Sequence, residues 1–230
     1  MNALLQIFGF LQIENLVPAS DCRDLVRSLH PLLASGHAGI RHLIDYPAIQ
    51  RFSRYEKLRS LIGAELGAEA FAFKATLFEK HPQSNWLVAW HQDRTIPVQE
   101  KIKMADWSCW SQKEGVHYVN PPPDVMRRIL AVRVHLDDCG PGDGPLRVLP
   151  ASHQNGFLSS AQLHDLTSNT DAISCLGRAG DAMLMCPLLV HASSKSMVSS
   201  ISKRRVLHLE YANVDLPYGL EWHRRVPVFV

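Results

Sequence analysis

Apolar and polar positions along the chain follow two different periods, and the change between them falls near residue 67. Before it, apolar residues recur at helical spacing. Cys22, Leu25, Val26 and Leu29 share one face of a helix that Ser20 is placed to cap, running to about His30, where Pro31 limits its continuation. A second helical stretch is expected over 47–66, with Leu58, Leu61, Ile62 and Leu66 as its stripe and Gly67 to end it. Ahead of both, residues 7–16 alternate enough to be a first strand. After Gly67 the chain breaks into short β-rich runs at 70–80, 86–93, 129–138, 146–150, 172–177, 182–186, 188–192 and 205–212, separated by Gly, Pro, Asn and Asp turns. Helices first and short strands afterwards predict a mainly β fold, a sandwich or jelly-roll barrel with the N-terminal helices packed on one sheet.

One interval, 99–128, breaks the strand rhythm. A stretch of that length without regular pattern inside a compact domain is expected to be functional, here an active-site lid, with Trp107 and Trp110 either covering the pocket or anchoring the loop. No internal repeat or linker divides the chain, so residues 1–230 read as a single domain. A net charge of +2, with 46% hydrophobic and 20% charged residues, describes a soluble globular protein. It argues against nucleic-acid or anionic-membrane partners, and the basic clusters at 127–128, 203–205 and 224–225 are too short to be polybasic arms. The opening "MNALLQIFGFLQIENLVPAS" has no positive start and is interrupted by Glu14 and Asn15, so it reads as a strand rather than a signal peptide or span. Five widely spaced cysteines without a C-x-x-C suggest a reduced, cytoplasmic protein.

Candidate chemistry begins with "WHQD". Alternate residues on a strand point to the same side, so His91-x-Asp93 can deliver two ligands from one short stretch to a 2-His-1-carboxylate iron site. The chain holds twelve histidines, however, and the same spacing recurs at His135-Leu136-Asp137 and, with Glu, at His208-Leu209-Glu210. The tripeptide alone does not choose among them. His191, after the Gly180-Asp181 turn and the run "AMLMC", is a candidate third ligand at a barrel mouth. Arg204, just before the last strand, offers a guanidinium for bidentate pairing with a carboxylate. Two competing readings are a non-catalytic jelly-roll binding module and a cupin-like metalloprotein that uses His135, Asp137 and His208 with zinc or manganese.

Four segments in order carry a resemblance: "WHQD", "LDDCGPGDGPLRVLPASH", "GDAMLMCPLLVHASS" and "RRVLHLEYA". From "GFLQIENLV" to "LHLEYA" the chain resembles the phytanoyl-CoA dioxygenase family of Fe(II)/2-oxoglutarate-dependent oxygenases. The resemblance implies a double-stranded β-helix core and an iron site of His91, Asp93 and His191. It further implies that Arg204 binds the distal carboxylate of 2-oxoglutarate and that Lys80 contacts the same cosubstrate. O2 and a small molecule would be the other substrates, with succinate and CO2 released and the small molecule hydroxylated. Halogenating relatives replace the carboxylate ligand by a small residue, so Asp93 argues against halogenation. The chain departs from the family pattern at "GDGPL", where Asn-Gly is commoner, and at "PASH" for "PGSH". The 192–203 loop is also longer, which leaves Arg204 and Arg205 as alternatives; only one can face the pocket, and the match favours Arg204. Arg133, His135 and Asp137 share one strand face and suit either substrate contact or a buried ion-pair network. Trp86 and Trp90 are expected in the core, and His153 is expected to brace a turn.

Overall fold

The computed structural model describes residues 2–33, 39–81, 84–197 and 203–229. Helices come first and strands dominate after Gly67, as the change of period predicts. The helices are α1 (Ala3–Phe8), α2 (Ala19–Ser28), α3 (His30–Leu33), α4 (Pro47–Ser53), α5 (Glu56–Leu66), α6 (Pro123–Met126) and α7 (Ser160–Asn169). The first seven strands are β1 (Phe10–Ile13), β2 (Gly39–Ile40), β3 (Phe71–Lys80), β4 (Val88–His91), β5 (Ile96–Val98), β6 (Ser108–Lys113) and β7 (Val116–Asn120). The others are β8 (Ile129–His135), β9 (Leu146–Val148), β10 (Ile173–Cys175), β11 (Ala182–Met185), β12 (His191–Ser193), β13 (Arg204–Ala212) and β14 (Val226–Pro227).

The major sheet runs β1-β11-β8-β13-β3-β14, with β2 also on β3, and the minor sheet runs β10-β9-β12-β4. All the ladders are antiparallel, the arrangement of a jelly roll. β8 is buried along its whole length, because both faces of the major sheet are covered. Its even-numbered residues Leu130, Val132 and Val134, with Leu207, Leu209 and Tyr211 of β13, pack against Leu25, Ile49, Leu58 and Ile62 of the helices. The Tyr211 hydroxyl donates to the Ser53 carbonyl at 3.1 Å, so this aromatic side chain is buried with its polar end satisfied. Burial of one such Leu or Ile contributes about 1.5–3 kcal/mol, which is what fastens the helical layer to the sheet. The opposite face, carrying residues 204, 206, 208 and 210 of β13, is turned toward the minor sheet.

Several expected elements differ from those found. Residues 7–16 are not one strand: α1 ends at Gly9, whose φ of 81° stops the helix, and only Phe10–Ile13 pair, with β11. Ser20 lies inside the first turn of α2 rather than capping it, and the break before Pro31 falls at Leu29. The 47–66 stretch is two helices, parted where Tyr55 turns extended, although Gly67 does end the second. The interval 99–128 is not without regular structure. β6 and β7 form a hairpin that joins β5 in a three-stranded sheet, and Trp107 lies in an apolar cluster with Val119, Met126 and Trp222 while Trp110 packs against it. No described helix is long and apolar enough to cross a membrane.

Candidate active site

β4 and β12 are neighbours in the minor sheet, and their register sets His91 directly opposite His191. The two imidazole rings stand 4.2 Å apart between centroids. Each ring donates its Nδ1–H to a carbonyl two residues back on its own strand, His91 to Ala89 and His191 to Leu189, both at 2.8 Å. A carbonyl can only accept, so in the neutral ring the lone pair is on Nε2, and both Nε2 atoms face Asp93. The distances are 3.9 Å from His91 Nε2 to Asp93 Oδ1 and 3.7 Å from His191 Nε2 to Asp93 Oδ2.

The residue between His91 and Asp93 holds this geometry from behind. Gln92 is buried and donates to the Gly156 and Leu188 carbonyls while accepting from Leu158 N–H. Asp93 N–H donates to the Pro187 carbonyl at 2.9 Å, tying the motif to the turn that precedes His191.

Burial lowers the His191 imidazole to about 4, so it is neutral and able to donate its lone pair at pH 7. Burial alone would raise the Asp93 carboxyl, but His191, His208, Lys74 and His91 surround it and hold it well below the usual range. Two imidazoles and an ionised carboxylate, with ligand atoms all within 4.8 Å of one another, form a donor set that fits a divalent transition metal. They line a cavity of about 120 Å³ between the two sheets.

The rest of that cavity is strongly basic. Arg204 and Lys80 are opposite each other on β13 and β3, both buried. Arg204 Nη2 donates to the Gly144 carbonyl at 2.8 Å, while its buried Nε has no hydrogen-bond partner among the described residues. Lys80 Nζ donates to Ser193 Oγ at 2.6 Å and to the Ser194 carbonyl, and lies 5.6 Å from the Trp86 ring centroid. Burial, then the Arg204 charge, lowers Lys80 to about 8. Arg205 turns the other way and donates to Asp137 from Nε and Nη2, both at 2.7 Å. Of the two alternatives, Arg204 faces the cavity. Residues 198–202 of the loop before it lie outside the described residues.

The competing set of His135, Asp137 and His208 is not brought together. Asp137 is taken up by Arg205, and His135 is buried against Gly177. His208 Nε2 lies 3.9 Å from Asp93 Oδ2 and 3.4 Å from Glu210 Oε1. Arg133 and His135 also part company, since only Arg133 lines the cavity. Trp86 lines it too, contrary to the expectation that it is core, while Trp90 packs beside Leu149, Leu158 and Val190. His153 does brace a turn: its Nε2 donates to the Gln6 carbonyl of α1 at 3.1 Å.

Sequence reasoning missed Lys74 and its pairing with Glu210, an ion pair at 2.5 Å beside His208 on the cavity wall. The signal was available, since Lys74 and Lys80 are an even number of residues apart on one strand, as are Glu210 and Arg204 on another.

The family model for phytanoyl-CoA dioxygenase matches residues 5–205. No curated protein sequence matches the chain. Among solved structures, AviO1 from Streptomyces viridochromogenes Tue57 is similar at 18% identity, with 94% of each chain covered and a TM-score of 0.68. EctD from S. alaskensis, crystallised with 2-oxoglutarate and 5-hydroxyectoine, is similar at 20% identity, with 92% of this chain and 74% of that one covered and a TM-score of 0.70. The nogalamycin-pathway epimerase SnoN, in complex with Fe3+, alpha ketoglutarate and nogalamycin RO, is 15% identical with a TM-score of 0.68, over 97% of this chain and 91% of that one. At these identities the structures speak for the fold. The family model spans most of the sequence, and with the jelly-roll core around a His-Asp-His cluster it places this chain in the phytanoyl-CoA dioxygenase family of Fe(II)/2-oxoglutarate-dependent oxygenases.

Proposed function

We propose that this chain hydroxylates a small molecule, using O2 and 2-oxoglutarate as cosubstrates and Fe(II) as its metal, within one domain spanning residues 1–230. The observation that carries the reading is one cavity with two chemically different ends. Three ligand atoms within 4.8 Å lie at one, and the buried, half-satisfied guanidinium of Arg204 lies at the other. In this reading His91, Asp93 and His191 hold the iron, Arg204 holds the distal carboxylate of 2-oxoglutarate, and Lys80 positions that end through Ser193. When bound, iron and 2-oxoglutarate supply the oxidising chemistry, in which 2-oxoglutarate becomes succinate and CO2 and one oxygen atom enters the substrate.

The chain's own residues do the rest. The carbonyls of Ala89 and Leu189 aim the imidazoles, and His208, backed by Glu210, lies against the same Asp93 oxygen that His191 faces. Phe78, Trp86, Val88 and Leu146 make the remaining wall apolar, which keeps bulk water from an oxidising centre. The β6–β7 hairpin reaches the same neighbourhood, because β7 pairs with β5, which begins three residues after Asp93. The hairpin is therefore the element we propose to frame the substrate's entry.

The direct test is turnover. Protein supplied with Fe(II) and 2-oxoglutarate should release succinate slowly even without its substrate, and His91→Ala should abolish the release, a loss of about 100-fold or more. With the substrate present, labelled O2 should place one labelled oxygen in the product. If the wild-type protein binds neither metal nor 2-oxoglutarate, the reading is wrong, and binding of both without succinate release would favour the non-catalytic binding module.

A further inference from the structure

The cavity carries more positive charge than one Arg-carboxylate contact explains. Its wall presents Lys74, Lys80, Arg133 and Arg204 against only two carboxylates, Asp93 and Glu210. Glu210 is paired with Lys74, and Asp93 belongs to the candidate metal ligands. Among the described residues no carboxylate lies within ion-pair distance of Lys80, Arg133 or Arg204.

Arg133 is the unexplained member. It sits on β8 directly across from His208, is 7% exposed, and has no anionic partner. Its Nη1 lies 3.2 Å from His208 Nδ1, and its guanidinium lies 5.7 Å from the centroid of the Phe78 ring. Through His208 it is one side chain removed from Asp93. Arg204 lines the same cavity, and burial, then the Arg204 charge, lowers the Arg133 guanidinium to about 10. Arg133 therefore shares the cavity wall with the metal-ligand cluster and Arg204; the Asp93 charge favours its charged form from beyond His208, but no carboxylate among the described residues reaches it directly. A lysine in this position can shed its proton, as the lowered value for Lys80 allows, but a guanidinium cannot. Two permanent cations facing one cavity are matched by a dianion with a carboxylate at each end.

We infer that Arg133 binds the C1 carboxylate of 2-oxoglutarate, the end nearer the metal ligands, while Arg204 binds the C5 carboxylate. This rests on the cosubstrate reading above and adds a second anchor to it. It also gives a reason for leaving a charge buried and unpaired in the apoprotein, since the cosubstrate neutralises it on arrival.

The test compares two acids on the full chain loaded with Fe(II) without O2, using calorimetry or the charge-transfer absorbance of the chelate. 2-Oxopentanoate has the C1 carboxylate and keto group of 2-oxoglutarate but no distal carboxylate. Arg204→Met should weaken 2-oxoglutarate by about tenfold or more and leave 2-oxopentanoate unchanged. Arg133→Met should weaken both acids by a similar factor of about tenfold or more, with metal affinity unchanged, and Arg133→Lys should recover part of the loss. The melting temperature of the apoprotein should hold or rise in Arg133→Met, because an unpaired buried charge is removed. Wild-type affinity of Arg133→Met for 2-oxopentanoate would overturn the assignment. A fall in melting temperature together with lost metal affinity in both Arg133 variants would also overturn it, showing Arg133 to be a brace. Failure of the wild-type protein to bind either acid would instead overturn the cosubstrate reading beneath it.

Discussion

Lys74 and Glu210 face each other across β3 and β13, with the Glu210 side chain 4% exposed, so each depends on the other's charge. Burial would raise the Glu210 carboxyl, yet Lys74 first and His208 next hold it below its usual range. Lys74→Met should cost about 3 kcal/mol or more of unfolding free energy in urea titration, because it leaves a carboxylate buried alone. The double variant Lys74→Met/Glu210→Gln should recover much of that loss, since neither member then carries a charge. The pair was hard to read in sequence for a physical reason. β3 and β13 are buried on both faces, so apolar alternation does not say which side of the strand holds the cavity. His91, Asp93, His191 and Arg204 were legible because four motifs in order carried them. Arg133 lay in none of those motifs, and its relation to Arg204 exists only once β8 and β13 are paired.

Among the elements, the turn between β8 and β9 does most to set the cosubstrate end of the cavity. Residues Pro141–Asp143 form a single 3-10 turn closed by Gly144 at φ 64° and ψ 57°, and the carbonyl that Gly144 presents is the one Arg204 grips. A Cβ at this position would run into the Ser194 carbonyl and come within 3.1 Å of Lys80 Nζ. Gly144→Ala should therefore lower stability by about 1–2 kcal/mol in thermal melts and weaken 2-oxoglutarate binding about tenfold by calorimetry. The departure "GDGPL" keeps the one residue that this turn requires. The β6–β7 hairpin, by contrast, leaves no mark in the sequence pattern, because β6 is exposed along nearly all its length and no alternating face identifies it as a strand. The split between α4 and α5 was hidden for the opposite reason. Ile49, Phe52, Leu58 and Ile62 all bury into one core, so the apolar rhythm continues across the break.

For the whole molecule, the two-layer arrangement puts neutral histidines in places that disfavour their charged form. Burial, then the charges of Arg133 and Arg204, lowers His135 to about 4, and burial lowers His191 similarly. In the unfolded chain both take protons near 6.5, so between those values the unfolded state binds more protons than the folded one. Stability is then complete above about pH 6.5 and declines as pH falls toward 4, by about 1.4 kcal/mol per pH unit for each proton. Urea titrations of the metal-free protein across this window should show that slope, and His135→Gln should reduce it by one proton's worth. A slope unchanged in the variant would mean that His135 is protonated in the fold. Fold class at this scale was the most legible feature, because short strands after a helical opening leave few ways to cover both faces of a sheet.

The pairing of His91 with His191 across β4 and β12 has a mechanical side. A cation gripped by both imidazoles would act as a rivet through the minor sheet, linking a strand near residue 90 to one a hundred positions later. The free energy of capture would be shared with the ladder beneath it, so loading would slow amide hydrogen exchange along 88–91 and 191–193 more than elsewhere. Losing the ion would loosen the very strands that aim its ligands.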